Sequence, residues 1–461
     1  MSSSSRTLGA AADPETALRV AEETVRLAAR AGVSEAEALV VTGESALTRF
    51  ANSEIHQNVT SNEALVNLRV ARGRRVGVAS TGRTDAEGLR ALVERAAAIA
   101  AHVEELEDWA GLPDPDGAAP GPVPAAWSDG TGGATPELRA DGARAVIAAA
   151  DAEGVTAFGS FSTDAEAVAV ANSRGIRTAE RRTTSQLLTV TMGPDNGTGY
   201  AEDCSVDATR IDAAALGREA AERARLSASP VDLEPGDYPV VLNQYAVVDL
   251  LDMLGYLGLS ALAVAEDRSF WEAGKRVASP LVTITDDGRD PAGLPMGFDA
   301  EGVAKQRLLL LDRGVCRDLA FDTQTAARAG RRSTGHGLPA PNPWGPFPIN
   351  MAMAPGEATF EDLIGGLDRG LLVTRFHYTN PVHPKRVVVT GMTRDGTFLV
   401  EGGRIVGPVR NLRFTMSYLD ALAGVEAVGR ERRTLRGMLG GCTVPAVRLA
   451  SFGFTGATRA G

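Results

Sequence analysis

Residues 377–422 read HYTNPVHPKRVVVTGMTRDGTFLVEGGRIVGPVRNLRFTMSYLDAL. Two turn signals punctuate the run, Arg394-Asp395-Gly396 and Glu401-Gly402-Gly403, and signals of this kind join antiparallel strands. The last strand leads through PVRNLRFTMSYLDAL into a helix. The same texture begins near Gly236 and includes Asp286-Asp287-Gly288 and Asp312-Arg313-Gly314. A large, mainly antiparallel, β-rich domain is therefore expected over residues 236–455.

Upstream of it the pattern changes to helices and hairpins. Asp13-Pro14 is a helix start, and Leu18, Ala21, Val25, Ala28 and Ala29 share one helical face before Gly32. Val66, Leu68 and Val70 alternate along a strand that turns at Arg72-Gly73-Arg74 and resumes with Val76 and Val78. Thr84 and Glu87 have capping-box spacing, opening an alanine-rich helix toward Trp109. Residues 111–136 hold six prolines and six glycines, the punctuation of a linker. Thr135-Pro136 then starts another helix, and the order helix, strand, hairpin, helix recurs to about Ala228. Ala51-Asn52-Ser53 returns as Ala171-Asn172-Ser173, which reads as a weak internal duplication or as chance in an alanine-rich chain. The expected fold class is α+β: a disordered tail (1–12), an N-terminal α/β region (13–110), a linker (111–135), a central domain (136–230) and the β-rich domain.

Composition narrows the function. The chain has 461 residues, enough for two or three domains, with 44% apolar and 23% charged residues as in ordinary globular proteins. A net charge of -11 argues against nucleic acid as a partner. Cys204, Cys316 and Cys442 lie far apart and read as free thiols of a reducing compartment. The N-terminus lacks the apolar core of a secretory signal, and the most apolar stretch, residues 250–265, contains Asp252 and is too short for the roughly 20 residues that cross a bilayer. A cytoplasmic protein with no membrane partner is expected. No G-x-S-x-G elbow, Walker glycine loop or dinucleotide fingerprint occurs, so serine-hydrolase and nucleotide chemistry have no support.

The opening stretch, together with residues 50–82 (FANSEIHQNVTSNEALVNLRVARGRRVGVASTG), resembles the TldD/PmbA peptidase family. The resemblance implies a metallopeptidase made of a catalytic TldD-type subunit and a TldE-type (PmbA) subunit without metal ligands, acting on unfolded or leader peptides. The catalytic member of such a pair carries the motif H-E-x-x-x-H on a helix after a V-V-L-type strand, and a cysteine near its C-terminus completes a zinc site suited to activating water. Here the matching strand is Tyr238 to Leu242, followed by NQYAVVDLLDMLGYLGLSALAVAEDRSFW, which has no histidine. The metal-motif positions fall around Asp252, Met253 and Leu257, and Cys442 matches the cysteine. No cofactor is thus expected in this chain, and zinc is expected in a TldD-type partner. Residues 243–265 are expected to form one mostly buried helix, carrying Val247, Leu250, Leu251, Leu254 and Leu257 as an apolar stripe.

The remaining polar candidates each carry two readings. His336, in a Gly/Pro-rich loop, is a substrate or partner contact or simply surface. His377, Tyr378 and His383 flank a proline-stiffened segment; with Cys442 the two histidines would make an unusual metal site, or they line a structural, peptide-contacting loop. Arg410, Asn411 and Arg413 would hold a carboxylate or form surface salt bridges. Asp395 is read as a turn residue without chemistry, and Met351 and Met353 as core strand residues. None of these residues is expected to be catalytic. Three functions remain: a non-catalytic subunit of a TldD–TldE-type complex, an autonomous hydrolase with an unrecognised site, for example His377, His383 and Cys442, and a peptide-binding scaffold.

Overall fold

A computed structural model describes residues 12–115 and 121–457. Apart from Ala12, the expected tail lies outside the described residues, as do residues 116–120 of the linker. The chain begins with helix α1 (Pro14–Arg30), strands β1 (Glu35–Ala51), β2 (Glu54–Arg72) and β3 (Arg75–Thr81), and helix α2 (Ala86–His102). Asp13 caps α1 with Pro14 in its first turn, as the sequence predicts. The cap of α2 is Asp85 rather than Thr84, its carboxylate accepting from the Glu87 and Gly88 amides, and the helix stops at His102, short of Trp109. An aspartate one residue downstream outcompetes the threonine because its charge also favours the helix N-terminus.

After a short helix α3 (Asp129–Gly132), the same order returns: α4 (Pro136–Ala152), β4 (Thr156–Asn172), β5 (Arg177–Met192), β6 (Thr198–Ser205) and α5 (Ala213–Leu226). The six strands form one sheet in the order β3-β2-β1-β4-β5-β6, with β1 and β4 antiparallel at its centre. The two halves are thus related by a pseudo-two-fold axis, and the repeated Ala-Asn-Ser triplets mark it. Ser53 Oγ accepts from the Ala157 amide at 3.1 Å and Ser173 Oγ from the Ala36 amide at 3.0 Å. The two serine amides return bonds to the same residues, Ser53 to the Ala157 carbonyl and Ser173 to the Ala36 carbonyl. Each half's turn thereby pins the first strand of the other. A further pair repeats the packing: Gly77 in β3 lies against Ala96 and Ala100 of α2, and Gly199 in β6 against Ala220 and Ala224 of α5. Only a residue without a side chain lets strand and helix approach this closely.

The rest of the chain is β7 (Gly236–Leu242), α6 (Gln244–Leu257), α7 (Ala261–Ala265), β8 (Ile284–Asp286), β9 (Leu308–Asp312), β10 (Val315–Cys316), α8 (Thr323–Arg328), β11 (Met351–Met353), α9 (Phe360–Gly365), β12 (Arg369–His383), β13 (Val388–Glu401), β14 (Arg404–Pro408), β15 (Leu412–Ser417), α10 (Tyr418–Ala423), β16 (Val425–Arg436) and β17 (Gly441–Ala457). They build an 11-stranded, mainly antiparallel sheet, and the overall class is α+β as expected. Its pairing β7–β12–β13–β15–β17–β7 returns to its first strand, so these five curl into a closed ring. The apolar stripe of α6, with Val247, Leu250, Leu251 and Leu254 fully buried, packs into the core beside Phe376, Phe414 and Phe452. A closed ring leaves no bare edge among its members.

Two readings need correction here. The helix expected over residues 243–265 breaks at Gly258, where a side chain would run into the Phe270 ring, and α7 resumes after Ser260. Asp395 is not in a hairpin turn: it lies within β13 at φ +55°, almost fully buried, with Gly396 at φ +112°. The pair makes a β-bulge, and Arg375 from β12 holds the Asp395 carboxylate at 2.6 Å. By contrast Glu401-Gly402-Gly403 does turn β13 into β14.

Candidate functional site

The position that the resemblance assigns to a metal lies in the second half of α6, the helix that follows β7. Asn243 caps the helix, and no residue of α6 is a histidine. Asp252 faces the turn between β16 and β17: its Oδ2 accepts from the Met438 amide at 2.9 Å, and the Cys442 thiol lies 3.7 Å from its Oδ1. These two groups, 190 positions apart in the chain, are those the sequence aligned with a metal histidine and the metal cysteine. Burial, reinforced by the nearby Asp249 carboxyl, pushes the Asp252 carboxyl up to about 7. Burial and the Asp252 carboxyl drive the Cys442 thiol well above its usual range. A zinc site needs several imidazole or thiolate donors, and this position offers one carboxyl and one thiol. Among the described residues no group of three or more His, Cys, Asp or Glu side chains is arranged to hold an ion. The residues at this position do not fit zinc.

Next to this pair is a second buried cluster. Asp286, at the end of β8, accepts from the Asn350 amide at 2.7 Å and stands 2.9 Å from His336 Nε2 and 3.1 Å from Lys305 Nζ. All three charged or titratable side chains are at most 1% exposed. Burial alone would raise the Asp286 carboxyl, but Lys305 and His336 hold it well below the usual carboxylate range. Burial and Lys305 hold His336 below its ordinary value, so the imidazole is neutral at pH 7. Its Nε2 faces Asp286, and its Nδ1 lies 2.9 Å from both the hydroxyl and the backbone carbonyl of Thr334. The Asp286-Asp287-Gly288 turn of the sequence reading is thus shifted: Asp286 is a core residue, and Asp287 shapes the turn by accepting from the Arg289 amide.

The cluster lies beneath a cavity of about 250 Å³ between the first sheet and the large domain, walled by Val41, Val168, Phe298, Leu338, Phe347 and Leu439. A smaller cavity of about 130 Å³ adjoins it and shares Arg182, Met296, Ile349 and Leu439. The two form one cleft, mainly apolar in its larger part and lined in its smaller part by Glu166, Arg182, Thr183, Asn350 and Arg436 as well as apolar side chains.

The predicted contact residues are dispersed. His336 is buried at the floor of the cavity, not on the surface. His377 is half-buried on β12, held below its ordinary value by burial and then by Arg394 and Arg375. Tyr378 beside it is 77% exposed at φ +56°, and His383 is exposed at the strand's end. Cys442 is buried against Asp252 on β17. Arg410 bonds Asp232 at 2.7 Å, Arg413 is exposed on β15, and Asn411 lies between them half-buried. Lys305 and Asp286 carried no signal in the sequence. A lone lysine and an Asp-Asp-Gly run are ordinary surface features until the fold buries them.

Comparison with known proteins agrees with this architecture. Residues 36–100, 133–228 and 235–456 match, in turn, domain 1, the central domain and the C-terminal domain of the PmbA/TldA metallopeptidases. A metalloprotease TldD homolog of Buchnera aphidicola is 29% identical over 230 residues, 48% of this chain and 46% of that protein. A metalloprotease of Methanothermobacter thermautotrophicus is 28% identical over 246 residues, 51% of this chain and 53% of the other. The chain thus spans about half the length of the curated relatives it matches. The crystal structure of TldE from Thermococcus kodakarensis superposes with a TM-score of 0.86 at 20% identity, covering 95% of this chain and all of the other. With all three domain matches in chain order, the protein belongs to the TldD/PmbA metallopeptidase family.

Proposed function

We propose that this chain is a TldE-like, non-catalytic subunit of a cytoplasmic TldD–TldE-type peptidase, which helps a zinc-bearing TldD-type partner enclose unfolded or leader peptides. The observation that carries the reading is the proton-sharing pair of Asp252 and Cys442 on a helix without imidazole. The scaffold of the family's metal helix persists while the donor set has shrunk to one carboxyl and one thiol without imidazole. The likeness to a TldE structure supports the same branch. No helix of the described residues is long and apolar enough to cross a membrane, which agrees with a cytoplasmic role. The contribution of such a chain is shape: the apolar part of the cleft receives side chains, and strand edges offer main-chain hydrogen bonds to an extended peptide.

An autonomous hydrolase is less well supported, because the Cys442 thiol is held protonated and a thiol, unlike a thiolate, is a poor nucleophile. The deciding experiment is co-expression with a TldD-type chain that has an intact H-E-x-x-x-H motif, followed by a peptidase assay on an unfolded peptide. Activity is expected only from the mixture, and changing the partner's metal-motif glutamate should abolish it. Cleavage by the present chain alone in the presence of a chelator would overturn the assignment.

A further inference from the structure

The first sheet has two related stretches of outer strand, and the molecule treats them differently. β5 runs beyond its pairing with β6 over residues 177–184. That stretch is covered: the Ser128 amide donates to Thr183 Oγ1 at 3.0 Å, the Arg181 guanidinium lies 4.3 Å from the Trp127 ring, and Glu180 and Thr183 are buried. The pseudo-symmetric stretch of β2 is residues 54–65. β3 pairs only with residues 66–72, β1 takes the inner side of β2 throughout, and no strand among the described residues takes the outer side. Residues 58–63 are exposed on both faces, and Val59 and Leu65 are 44% and 43% exposed.

Twelve residues of open strand present about 40 Å of edge at roughly 3.3 Å per residue, with N–H and C=O groups turned outward at alternate positions. Chains that leave such an edge in water guard it with lysine, proline or a bulge. Between Glu54 and Leu68 there is no lysine, arginine or proline; the register with β1 is unbroken from Glu35↔Ala71 to Arg49↔Gln57, and the one bulge of the pair, at His56, closes the far end of the stretch. From residue 57 to residue 65 the edge is straight and unguarded, and such an edge is a pairing edge. Its occupant is defined by the exposure of both faces: a single extended peptide would cover the edge alone, whereas a folded body carrying its own sheet covers edge and faces together. The molecule already joins its two related halves in this manner, by antiparallel pairing of β1 with β4.

The geometry points to residues 54–65 of β2 as the docking edge for an antiparallel strand of a second folded chain of the same fold. That second chain is the TldD-type partner, so the inference rests on the function proposed above. The test measures amide hydrogen exchange across β2 before and after mixing the full-length chain with the TldD-type partner, and the affinity of two kinds of variant. Val59→Lys with Ser61→Lys places guards on side chains that contribute little to the fold. Val59→Pro and Thr60→Pro each remove one N–H, outward in one case and toward β1 in the other, and the variant with the unchanged melting temperature is the informative one. Complex formation should protect alternate amides of residues 54–65. The lysine pair and the outward proline should weaken association about tenfold or more, each 1.4 kcal/mol of lost pairing being roughly a factor of ten.

If the wild-type chains associate while residues 54–65 stay unprotected and the variants bind normally, the docking edge is wrong and the proposed partnership stands. If the wild-type chains do not associate, both fall. If an unstructured 12-residue polar peptide protects the edge without the partner, the edge holds peptide and the docking inference is overturned.

Discussion

At the scale of single residues, Asp252 carries the history of the site and a measurable consequence. Its carboxyl titrates at about 7 in the fold against 3.8 for the unconstrained group, so between these values the native chain binds a proton that the unfolded chain lacks. Stability must therefore fall as pH rises from about 4 to 7 and stay at the lower level above it. Asp252→Asn keeps a carbonyl for the Met438 amide and removes the titration. Because Asp252 retains some contact with solvent, the expected gain at pH 8 is about 1–2 kcal/mol rather than the full shift, with little change at pH 4. Urea denaturation of both proteins at the two pH values checks this, and parallel curves would show that Asp252 is not the group responsible. The sequence aligned Asp252 and Cys442 with metal positions only through the family resemblance, since nothing local links residues 190 apart. Lys305, Asp286 and the burial of His336 were not legible, because they depend on two loops and the end of β8 meeting beneath a cavity.

At the scale of elements, the residues that were legible are those whose chemistry is decided within a few positions. Asp13-Pro14, Thr135-Pro136, the turn at Arg72-Gly73-Arg74 and the turn at Glu401-Gly402-Gly403 all stand where the sequence puts them. Arg394-Asp395-Gly396 failed because a bulge and a tight turn ask for the same left-handed residues. What separates them is Arg375, on another strand. The paired glycines of β3 and β6 make the duplication testable. A methyl group at Gly77 would overlap the Ala96 carbonyl, and one at Gly199 the Ala220 carbonyl. Gly77→Ala and Gly199→Ala should each cost about 1–3 kcal/mol in chemical denaturation, as overpacking does, and the double variant should lose nearly the sum, the sites being in separate halves. A loss at one site only would mean that the two halves no longer pack alike.

At the scale of the whole molecule, one buried ion network ties the first sheet to the large domain. Arg69 of β2 lies 2.8 Å from Glu37 of β1 and 3.1 Å from Glu301 of the large domain, with all three side chains at most 11% exposed. Glu301 also accepts from the Thr323 hydroxyl at 2.6 Å. Arg69→Ala strands two carboxylates away from water and should cost about 3–5 kcal/mol. Burial already raises the Glu37 carboxyl, and loss of the cation raises it further, so the deficit should shrink as pH is lowered and the carboxylates take up protons. Thermal melts at pH 5 and pH 8 read the difference, and Arg69→Lys should rescue only part of it, having no planar fork to serve both acids.

The serine bonds that lock each half's turn to the other's first strand bear on ancestry as well as packing. A single half, standing alone, would leave β1 open along the line that β4 now fills, and a second copy turned by half a rotation would meet it with the same serine bonds. Two such copies in one polypeptide meet at an effective concentration in the millimolar range instead of by chance encounter. Halves joined in one chain need not stay identical: one outer strand is roofed by Trp127 and Ser128, and the other is open along residues 54–65.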